Sequence, residues 1–471
     1  MPKIDYKKLQ KKLSYQRKNV WEEMSDKDKK NALQFSEGYK EFLNSAKTER
    51  EAVRMGINYA NNNGFKNITD CQKLRASDKI YAVNRGKNIL FVVLGKDLTS
   101  SGLALIMAHV DNPHLDLKIN PLYEDSGIAY FKTHYYGGIK KYQWPTIPLS
   151  LHGTVCLADG RKQEIVIGEK NEDPIFMITD LLPHLGREQL KKTLEEGIAA
   201  EELNIVVGSI PVNDKTIKEK IKLAVLEHLH FNYGMSENDF LSAEIQAVAA
   251  SSARDLGFDR SFVAAFGHDD RVCAYAAWQA LANSQHRVRT QMCLWVDREE
   301  IGSEGNTSAQ SSWLENILSE ILEKSGQVGN FKDVYKVLEK SSAISADVTV
   351  AFDPDYKEVH DPKNTAYISC GVALEKHTGH RGKYGTSEAA AEYMQKLRAI
   401  FDKANIIWQP GGLGKVDQGG GGTIAMYLAK RNMDVVDMGV GVLNMHAPIE
   451  IVSKGDVFQA YRAYKEFLAK I

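Results

Sequence analysis

Two adjacent carboxylates, Glu299 and Glu300, stand close after an apolar run that extends from Met292 to Val296. The run is typical of a buried strand, and successive side chains at a strand end point to opposite sides. One carboxylate of such a pair can hold a cation while its neighbour accepts a proton. Acidic pairs are also common on solvated surfaces, so this pair indicates chemistry only in the company of other polar residues.

Two histidines also follow apolar runs. His109 ends one such run, with Asp111 two residues further along and on the same side, and His446 follows another. A carboxylate beside a metal-binding imidazole orients the ring and increases its basicity, so His109 can be a ligand and Asp111 its partner. The alternative for each histidine is a hydrogen-bonded side chain of the core.

Three aspartates complete the set. Asp269 and Asp270 precede a helix predicted over 272–282, where one of them can cap the helix and the other can bridge two cations. Asp347 lies in an apolar segment predicted as a strand over 346–352, where an unpaired charge is costly to bury. Together with the histidines and glutamates, these residues supply ligands for two divalent cations and one spare carboxylate as a base.

The surrounding elements predict an α/β fold. A capping-box pattern from Thr48 to Glu51 begins a helix, and apolar runs toward His109 predict strands over 80–83, 89–94 and 103–108. From Asp269 onward, helices and apolar strands alternate, as in an α/β layer fold. Between about 111 and 257 short strand-like runs replace this pattern, at 154–157, 164–167 and 204–207, with one amphipathic helix over 217–229. A β-rich insertion is expected there.

Length and composition limit the classes of protein. A chain of 471 residues exceeds the size of one hydrophobic core, so two domains are expected, and 43% hydrophobic with 26% charged residues is ordinary for a soluble globular protein. A net charge of −1 indicates neither nucleic acid nor a membrane surface as a partner, and no apolar stretch is long enough to span a bilayer. Five scattered cysteines without a C-x-x-C spacing predict a reducing cytoplasm and no thiolate zinc site.

On these motifs the sequence resembles the aspartyl aminopeptidase and vacuolar aminopeptidase I family of dizinc metallopeptidases. The resemblance extends from about Ser36 to the C-terminus and is carried by AHVD (108–111), DD (269–270), DREEIGS (297–303), SAD (345–347) and MH (445–446). Many relatives have SHTDS where this chain has AHVDN at 108–112. That difference changes small flanking residues and none of the proposed ligands.

The resemblance implies a role for each residue of the set. Asp269 would bridge two metal ions; Glu300 and His446 would complete one site, and His109 and Asp347 the other. Asp111 would orient His109, and Glu299 would be the general base for a water activated by both metals. The implied reaction removes N-terminal residues from peptides. Zinc is the expected ion, although Co²⁺ or Mn²⁺ suits the same nitrogen and oxygen ligands.

The resemblance also implies an architecture and partners. Residues 1–108 and 258–471 would form a zinc-peptidase domain with a central mixed sheet flanked by helices, and residues 109–257 an inserted β-rich dimerisation domain. Dimers would assemble into a tetrahedral dodecamer. His184 of the insertion would reach a neighbouring subunit's site, and Arg381 and Lys383 of a basic loop would bind substrate. A solvated loop position is the alternative for Arg381 and Lys383, and a structural role is the alternative for His184. The preference for acidic, neutral or apolar N-terminal residues stays open.

Other interpretations remain at this stage. The glycine-rich segment 411–423 lacks both the P-loop order and the Rossmann spacing, so we expect it to approach the active-site cleft closely rather than to bind phosphate. A deacylase or carboxypeptidase-like amidohydrolase would use the same metal chemistry but hold the other end of its substrate. An assembly or cargo-binding protein with a relict site would be inactive with metal bound.

Overall fold

The computed structural model describes residues 4–96, 98–284 and 288–471. Its helices are α1 (Tyr6–Leu13), α2 (Val20–Glu23), α3 (Asp26–Ser45), α4 (Glu49–Asn62), α5 (Leu98–Ser101), α6 (Lys220–Tyr233), α7 (His268–Ala282), α8 (Trp313–Lys324), α9 (Phe331–Glu339), α10 (Ala391–Lys403), α11 (Ala425–Ala429) and α12 (Lys454–Lys470).

Its strands are β1 (Lys66–Asn67), β2 (Lys79–Asn84), β3 (Asn88–Val93), β4 (Leu103–His109), β5 (His114–Asp125), β6 (Ile128–Tyr136), β7 (Leu149–Cys156), β8 (Lys162–Ile167), β9 (Met177–Ile178), β10 (Ile205–Gly208), β11 (Ala243–Ala249), β12 (Arg254–Leu256), β13 (Phe262–Ala265), β14 (Thr290–Val296), β15 (Ser342–Ser345), β16 (Thr349–Val350), β17 (Val372–Glu375), β18 (Gly379–His380), β19 (Trp408–Pro410), β20 (Gly420–Gly421), β21 (Asp434–Gly439), β22 (Gly441–Leu443) and β23 (Glu450–Ser453).

The largest sheet is mixed and has nine strands in the order β1-β2-β3-β14-β4-β15-β21-β17-β19. Its four central strands, β14, β4, β15 and β21, are mutually parallel. Residues of β3, β4 and β14 are buried throughout, because α3, α4, α7, α10 and α12 cover one face while α8, α9 and α11 cover the other. Continuous apolar runs are typical of strands covered on both faces. The predicted α/β layer fold with a central mixed sheet is confirmed.

A second sheet has seven antiparallel strands in the order β8-β7-β11-β5-β6-β10-β9, all from residues 114–249. It has its own apolar cluster, against which α6 packs. The third sheet is smaller and has the strand order β12-β13-β23-β22-β16. Along the chain, β13 precedes α7 and β23 precedes α12. Strands β18 and β20 pair with each other as a separate antiparallel ribbon.

Local sequence signals predicted several elements correctly and one wrongly. Thr48 and Glu51 form the expected capping box. Helix α4 ends at Asn62, and Asn63 is its C-cap residue. The helix predicted over 217–229 begins three residues later, at Lys220. The strand predicted over 346–352 is wrong: β15 ends at Ser345, and the short β16 belongs to the five-stranded sheet. The chain leaves the large sheet just before Asp347, which keeps this charge out of the sheet interior.

A buried ionic cluster connects α4 to the seven-stranded sheet. The Glu51 carboxylate accepts the N–H groups of Lys47 and Thr48 and lies 2.9 Å from Nδ1 of His152 on β7. On the other side of that imidazole, Nε2 lies 3.0 Å from Glu169, whose carboxylate also binds Lys47 Nζ at 2.8 Å. Burial opposes these charges, but the hydrogen bonds outweigh it: they raise the pKa of His152 and, with Lys47, lower the pKa of Glu169 to about 2.

This cluster predicts a pH dependence of stability. The lowered pKa of Glu169 stabilises the fold above pH 4.5 and loses this effect as pH falls toward about 2. The raised pKa of His152 stabilises the fold below pH 6.5 and loses its effect as pH rises through the folded value. We therefore expect Glu169→Gln to lower the urea midpoint most between pH 4.5 and 6.5, with a smaller difference on either side.

The control for this experiment is Glu172→Gln, which removes the same charge from an exposed position of the neighbouring segment. Its urea midpoint is expected to follow that of the unmodified protein at every pH. A Glu169→Gln deficit that does not vary with pH would contradict the ionic origin of the stabilisation.

Candidate metal centre

Four of the predicted site residues lie at one edge of the large sheet, where its central parallel strands end. His109 is the last residue of β4, and Asp347 stands two residues beyond β15. Glu299 and Glu300 follow β14, but on a 3₁₀ turn rather than on a strand, because the chain turns at Arg298, whose φ is 70°. The strand alternation expected for this pair is therefore wrong. Ligands in α/β sheets bind beyond the carboxyl ends of strands, where these side chains lie.

Asp269, near the start of α7, places its carboxylate between the two histidines. Oδ1 lies 3.1 Å from Nε2 of His109, and Oδ2 lies 3.3 Å from Nε2 of His446. Burial opposes ionisation of this carboxyl, but the contacts with His109 and His446 hold its pKa well below the usual range. One carboxylate thus has a different imidazole at each oxygen.

The remaining predicted ligands divide between the two imidazoles. Oδ1 of Asp347 lies 3.7 Å from Nε2 of His109, and Oε2 of Glu300 lies 3.4 Å from Nε2 of His446. Within the part of the chain that the structure describes, three residue groups have ligand atoms within 4.8 Å of one another, namely His109/Glu299/Glu300, His109/Asp270/Asp347 and Asp269/Glu300/His446. The five ligands predicted from distant parts of the sequence therefore come together.

The chemistry of this cluster fits divalent cations. Buried oxygens of Asp270 and Glu300 have no hydrogen-bond partner among the described residues, which is costly for a carboxylate without a compensating charge. Burial, followed by the neighbouring Asp347, raises the pKa of Glu299 to about 8, and burial with nearby carboxylates also raises the pKa of Glu300 and Asp347. Cations would relieve both the unpaired oxygens and the repulsion, and imidazole with carboxylate ligands suits zinc.

Asp111 has a wider role than the one predicted for it. Its Oδ1 lies 3.4 Å from Nδ1 of His109, the orienting position, while the same ring nitrogen is 3.0 Å from the Asp111 carbonyl. The carboxylate also accepts the backbone N–H groups of Glu299 at 3.1 Å and Glu300 at 3.2 Å. Asp111 therefore holds an imidazole and the glutamate turn at once.

Sequence patterns missed two residues of this cluster. Glu450, buried at the start of β23, accepts the N–H of Asp269 at 3.0 Å and that of His446 at 2.7 Å. Glu450 is a single acid among apolar residues, the signal that selected Asp347, and that signal was overlooked here. Asp270 was predicted only as one of two aspartates that could cap the helix or bridge two cations, and it was not among the implied ligands. No side-chain hydrogen bond caps α7, and the Asp270 carboxyl is fully buried beside His109 and Asp347.

The three residues predicted to bind substrate are not part of the Asp269 cluster. Lys383 forms an ion pair with Glu388 at 2.9 Å, and Arg381 lines a cavity of about 680 Å³ beside β17 and β19. His184 is exposed on the segment between β9 and β10. Their roles remain predictions.

The glycine-rich segment meets the basic loop, as the pairing of β20 with β18 shows. A Cβ built on Gly420 would lie 2.3 Å from the carbonyl oxygen of Gly379, and Gly420 has a φ of 127°. Both facts require glycine at this position. The close approach seen here is to the basic loop, and the approach to the active-site cleft stays a prediction.

Comparisons with known proteins identify the family of the chain. A model of the family described as aminopeptidase I zinc metalloprotease (M18) matches residues 42–468. The chain is 44% identical over 455 residues to the probable M18 family aminopeptidase 1 of Clostridium acetobutylicum, covering 96% of this chain and 98% of the relative. The crystal structure of the M18-family aminopeptidase from Thermotoga maritima has a TM-score of 0.94 at 45% identity, covering 97% of this chain and 100% of that one.

A more distant structure, the S. cerevisiae mApe1 dodecamer, shares the fold with a TM-score of 0.72 at 19% identity, covering 93% of this chain and 95% of that one. Among the residues that the structure describes, no helix is both long and apolar enough to cross a membrane. The family model matches most of the chain, and its near relatives are M18 aminopeptidases. The chain therefore belongs to the M18 family of aminopeptidase I zinc metalloproteases and is a metal-dependent aminopeptidase.

Proposed function

We propose that the chain removes N-terminal residues from peptides at a centre of two divalent metal ions. Asp269 would bridge the ions, Glu300 and His446 would complete one site, and His109 and Asp347 the other. The observation that carries this proposal is the Asp269 carboxylate, whose two oxygens face different imidazoles at 3.1 and 3.3 Å. A carboxylate that binds only one metal ion would not require a histidine ligand beside each of its two oxygens.

A pair of divalent ions held by these residues would supply Lewis-acid polarisation of a peptide carbonyl and a water molecule of lowered pKa. The proton of that water would pass to the carboxylate of Glu299, which would return it to the leaving amine. The backbone N–H of Glu299 is held by Asp111 at 3.1 Å, which fixes the start of its side chain. Burial and neighbouring carboxylates raise its pKa, whereas bound cations act in the opposite direction.

Recognition of a free α-amine distinguishes an aminopeptidase from other amidohydrolases. The cluster carries more carboxylates than histidines, namely Asp269, Asp270, Glu299, Glu300 and Asp347. This excess of negative charge suits a protonated amine next to the reacting carbonyl. Zinc is the proposed ion, with Co²⁺ and Mn²⁺ as substitutes that the same ligands accept. Arg381 and Lys383 are proposed to bind substrate, and the residue preference is to be found with a panel of aminoacyl substrates.

Metal removal and reconstitution test this function. Exhaustive chelation is expected to abolish peptidase activity, and added Zn²⁺ to restore it until two equivalents per chain are bound. The free-amine form of a peptide should be cleaved, and its N-acetylated form should not. Full activity after chelation, or full activity at one equivalent, contradicts the two-metal proposal. Cleavage of the acetylated peptide identifies a deacylase instead.

We further propose that residues 1–108 and 258–471 form the catalytic domain and that the segment 109–257 carries an inserted dimerisation domain, although its first residue, His109, still ends β4 of the large sheet. The separate apolar cluster of the seven-stranded sheet supports a distinct unit. The segment between β9 and β10 supports association, since Leu181, Leu185, Leu190 and Leu194 are each more than half exposed. Large exposed apolar patches are typical of protein interfaces.

Because mApe1 forms a dodecamer, a tetrahedral dodecamer of dimers is the proposed assembly, in which His184 on the same exposed segment would reach a neighbouring site. Mass measurement in solution tests the assembly. A cytoplasmic location is also proposed, which the five free cysteines support.

A further inference from the structure

The end of β6 joins the seven-stranded sheet to the catalytic centre. Tyr136 is the last residue of this strand, and Gly137 and Gly138 follow it directly. Tyr136 pairs across the sheet with His114 on β5, and their rings stack with centroids 4.5 Å apart at an interplanar angle of 16°. This stacking fixes the direction in which the phenol points.

The phenol of Tyr136 bonds to Asp111. Its hydroxyl donates to Oδ2 of Asp111 at 2.8 Å. The same carboxylate accepts the N–H groups of Glu299 and Glu300 and faces Nδ1 of His109. A displacement of Asp111 would therefore move a proposed metal ligand and the proposed base together. A hydrogen bond to a carboxylate is stronger than one between neutral groups, so the phenol contributes substantially to the position of this carboxylate.

The next two residues reach the other imidazole. The carbonyl oxygen of Gly138 lies 2.8 Å from Nδ1 of His446, which therefore donates its proton there and presents Nε2 to Asp269 and Glu300. A Cβ built on Gly138 would be 3.3 Å from that ring nitrogen. Gly137 has a φ of 75°, and a Cβ there would lie 3.3 Å from Cβ of Glu300. Glycine at these two positions permits this close approach to both ligands.

We propose that Tyr136–Gly138 is a positioning segment of the catalytic centre, in which Tyr136 acts through Asp111 on His109 and the glutamate turn while the Gly138 carbonyl orients His446. This inference rests on the proposed two-metal function. One short segment at the end of β6 then positions residues of both proposed metal sites without itself binding a metal ion. Partners of metal-ligating residues typically contribute 10–100-fold to metal affinity or activity, so about this effect is expected for the phenol.

Tyr136→Phe tests the proposal because it removes one hydroxyl and keeps the ring that stacks on His114. We expect its Zn²⁺ affinity, measured by competition with a chelator, to fall about 10–100-fold at one of two sites. The visible absorption of the Co²⁺-substituted protein should change, and kcat should fall with little change in KM. Tyr135→Phe is the matched control, since Tyr135 lies next to it on β6 with its side chain 40% exposed. The control should retain the affinity and the Co²⁺ spectrum.

A double-variant comparison tests the route through Asp111. If Tyr136 acts through this carboxylate, Asp111→Ala combined with Tyr136→Phe should bind Zn²⁺ no more weakly than Asp111→Ala alone, because alanine leaves no acceptor for the Tyr136 hydroxyl. Full addition of the two losses overturns the proposal, as does a Tyr136→Phe protein with unchanged metal affinity and Co²⁺ spectrum. A Tyr136→Phe protein that fails to fold also overturns it, because the residue would then be structural.

Different measurements, made on the unmodified protein, would show that the proposed function is wrong. That function is refuted if the unmodified protein binds no second metal ion or if it stays active after chelation. The outcome for Tyr136 is decided by metal affinity and spectrum, which do not depend on the reaction that the centre performs.

Discussion

Replacement of Glu299 by glutamine is expected to lower kcat by about 10²–10⁴-fold, the usual contribution of a positioned proton-transfer group. Glutamine has nearly the same shape as glutamate but cannot accept the proton of the attacking water. Glu299 is not one of the five proposed ligands, so the two-metal proposal expects two metal ions to stay bound. Kinetic constants and metal content per chain, measured on the same preparation, check both expectations.

Glu304→Gln is the matched control for this variant. Glu304 is exposed, five residues further along the chain, and its carboxylate accepts only from Gln310 among the hydrogen bonds of the described residues. Its kcat is expected to equal that of the unmodified protein. A Glu299→Gln protein with near-normal kcat would exclude Glu299 as the base. Loss of metal from that variant would make Glu299 a ligand instead, as its place in one group with His109 and Glu300 allows.

The apolar strands at the centre of the site were predictable from sequence. β4 and β14 are continuous apolar runs because helices cover both faces of the sheet, and such runs end where polar ligands begin. Their neighbourhood was also predictable in outline, since β4 and β14 are parallel and end at the same sheet edge. His109 and the glutamate turn meet for that reason.

The local backbone around the ligands was not predictable in the same way. Strand alternation failed at Glu299 because the chain turns at Arg298, and the strand around Asp347 failed because β15 ends at Ser345. Both errors occur where a charged group must leave the sheet. The apolar neighbours of Glu450 indicated a buried acid but not its role, which depends on accepting backbone N–H groups from two distant segments. Contacts of this kind have no periodicity that a sequence can display.

Asp269 and Asp270 are adjacent, both acidic and both buried, so sequence alone does not decide which one bridges two ions. Geometry separates them. Each oxygen of Asp269 faces a different imidazole, whereas Asp270 shares a group only with His109 and Asp347, on one side of the centre. Burial, together with the neighbouring carboxylates of Asp347 and Asp269, raises the pKa of Asp270 well above its usual value.

We therefore expect Asp269→Asn to lose both metal ions and Asp270→Asn to keep them. An amide that replaces the bridging carboxylate removes one negative charge and one oxygen ligand from a position shared by two sites. Metal ions typically contribute several kcal/mol to the transition state, so kcat/KM of Asp269→Asn should fall by about 10³-fold or more. Asp270→Asn, the matched control, should retain two ions and most of its activity, because an amide replaces a carboxyl group of nearly the same shape.

Metal analysis after dialysis, together with kcat/KM, separates the two variants. If Asp270→Asn loses metal while Asp269→Asn keeps it, the bridging role passes to Asp270, and the proposed ligand set has to be rebuilt around the group of His109, Asp270 and Asp347. If each variant loses one ion, no single carboxylate bridges the centre. Only the loss of both ions from Asp269→Asn alone agrees with a carboxylate whose two oxygens, facing His109 and His446, hold the two halves of the site together.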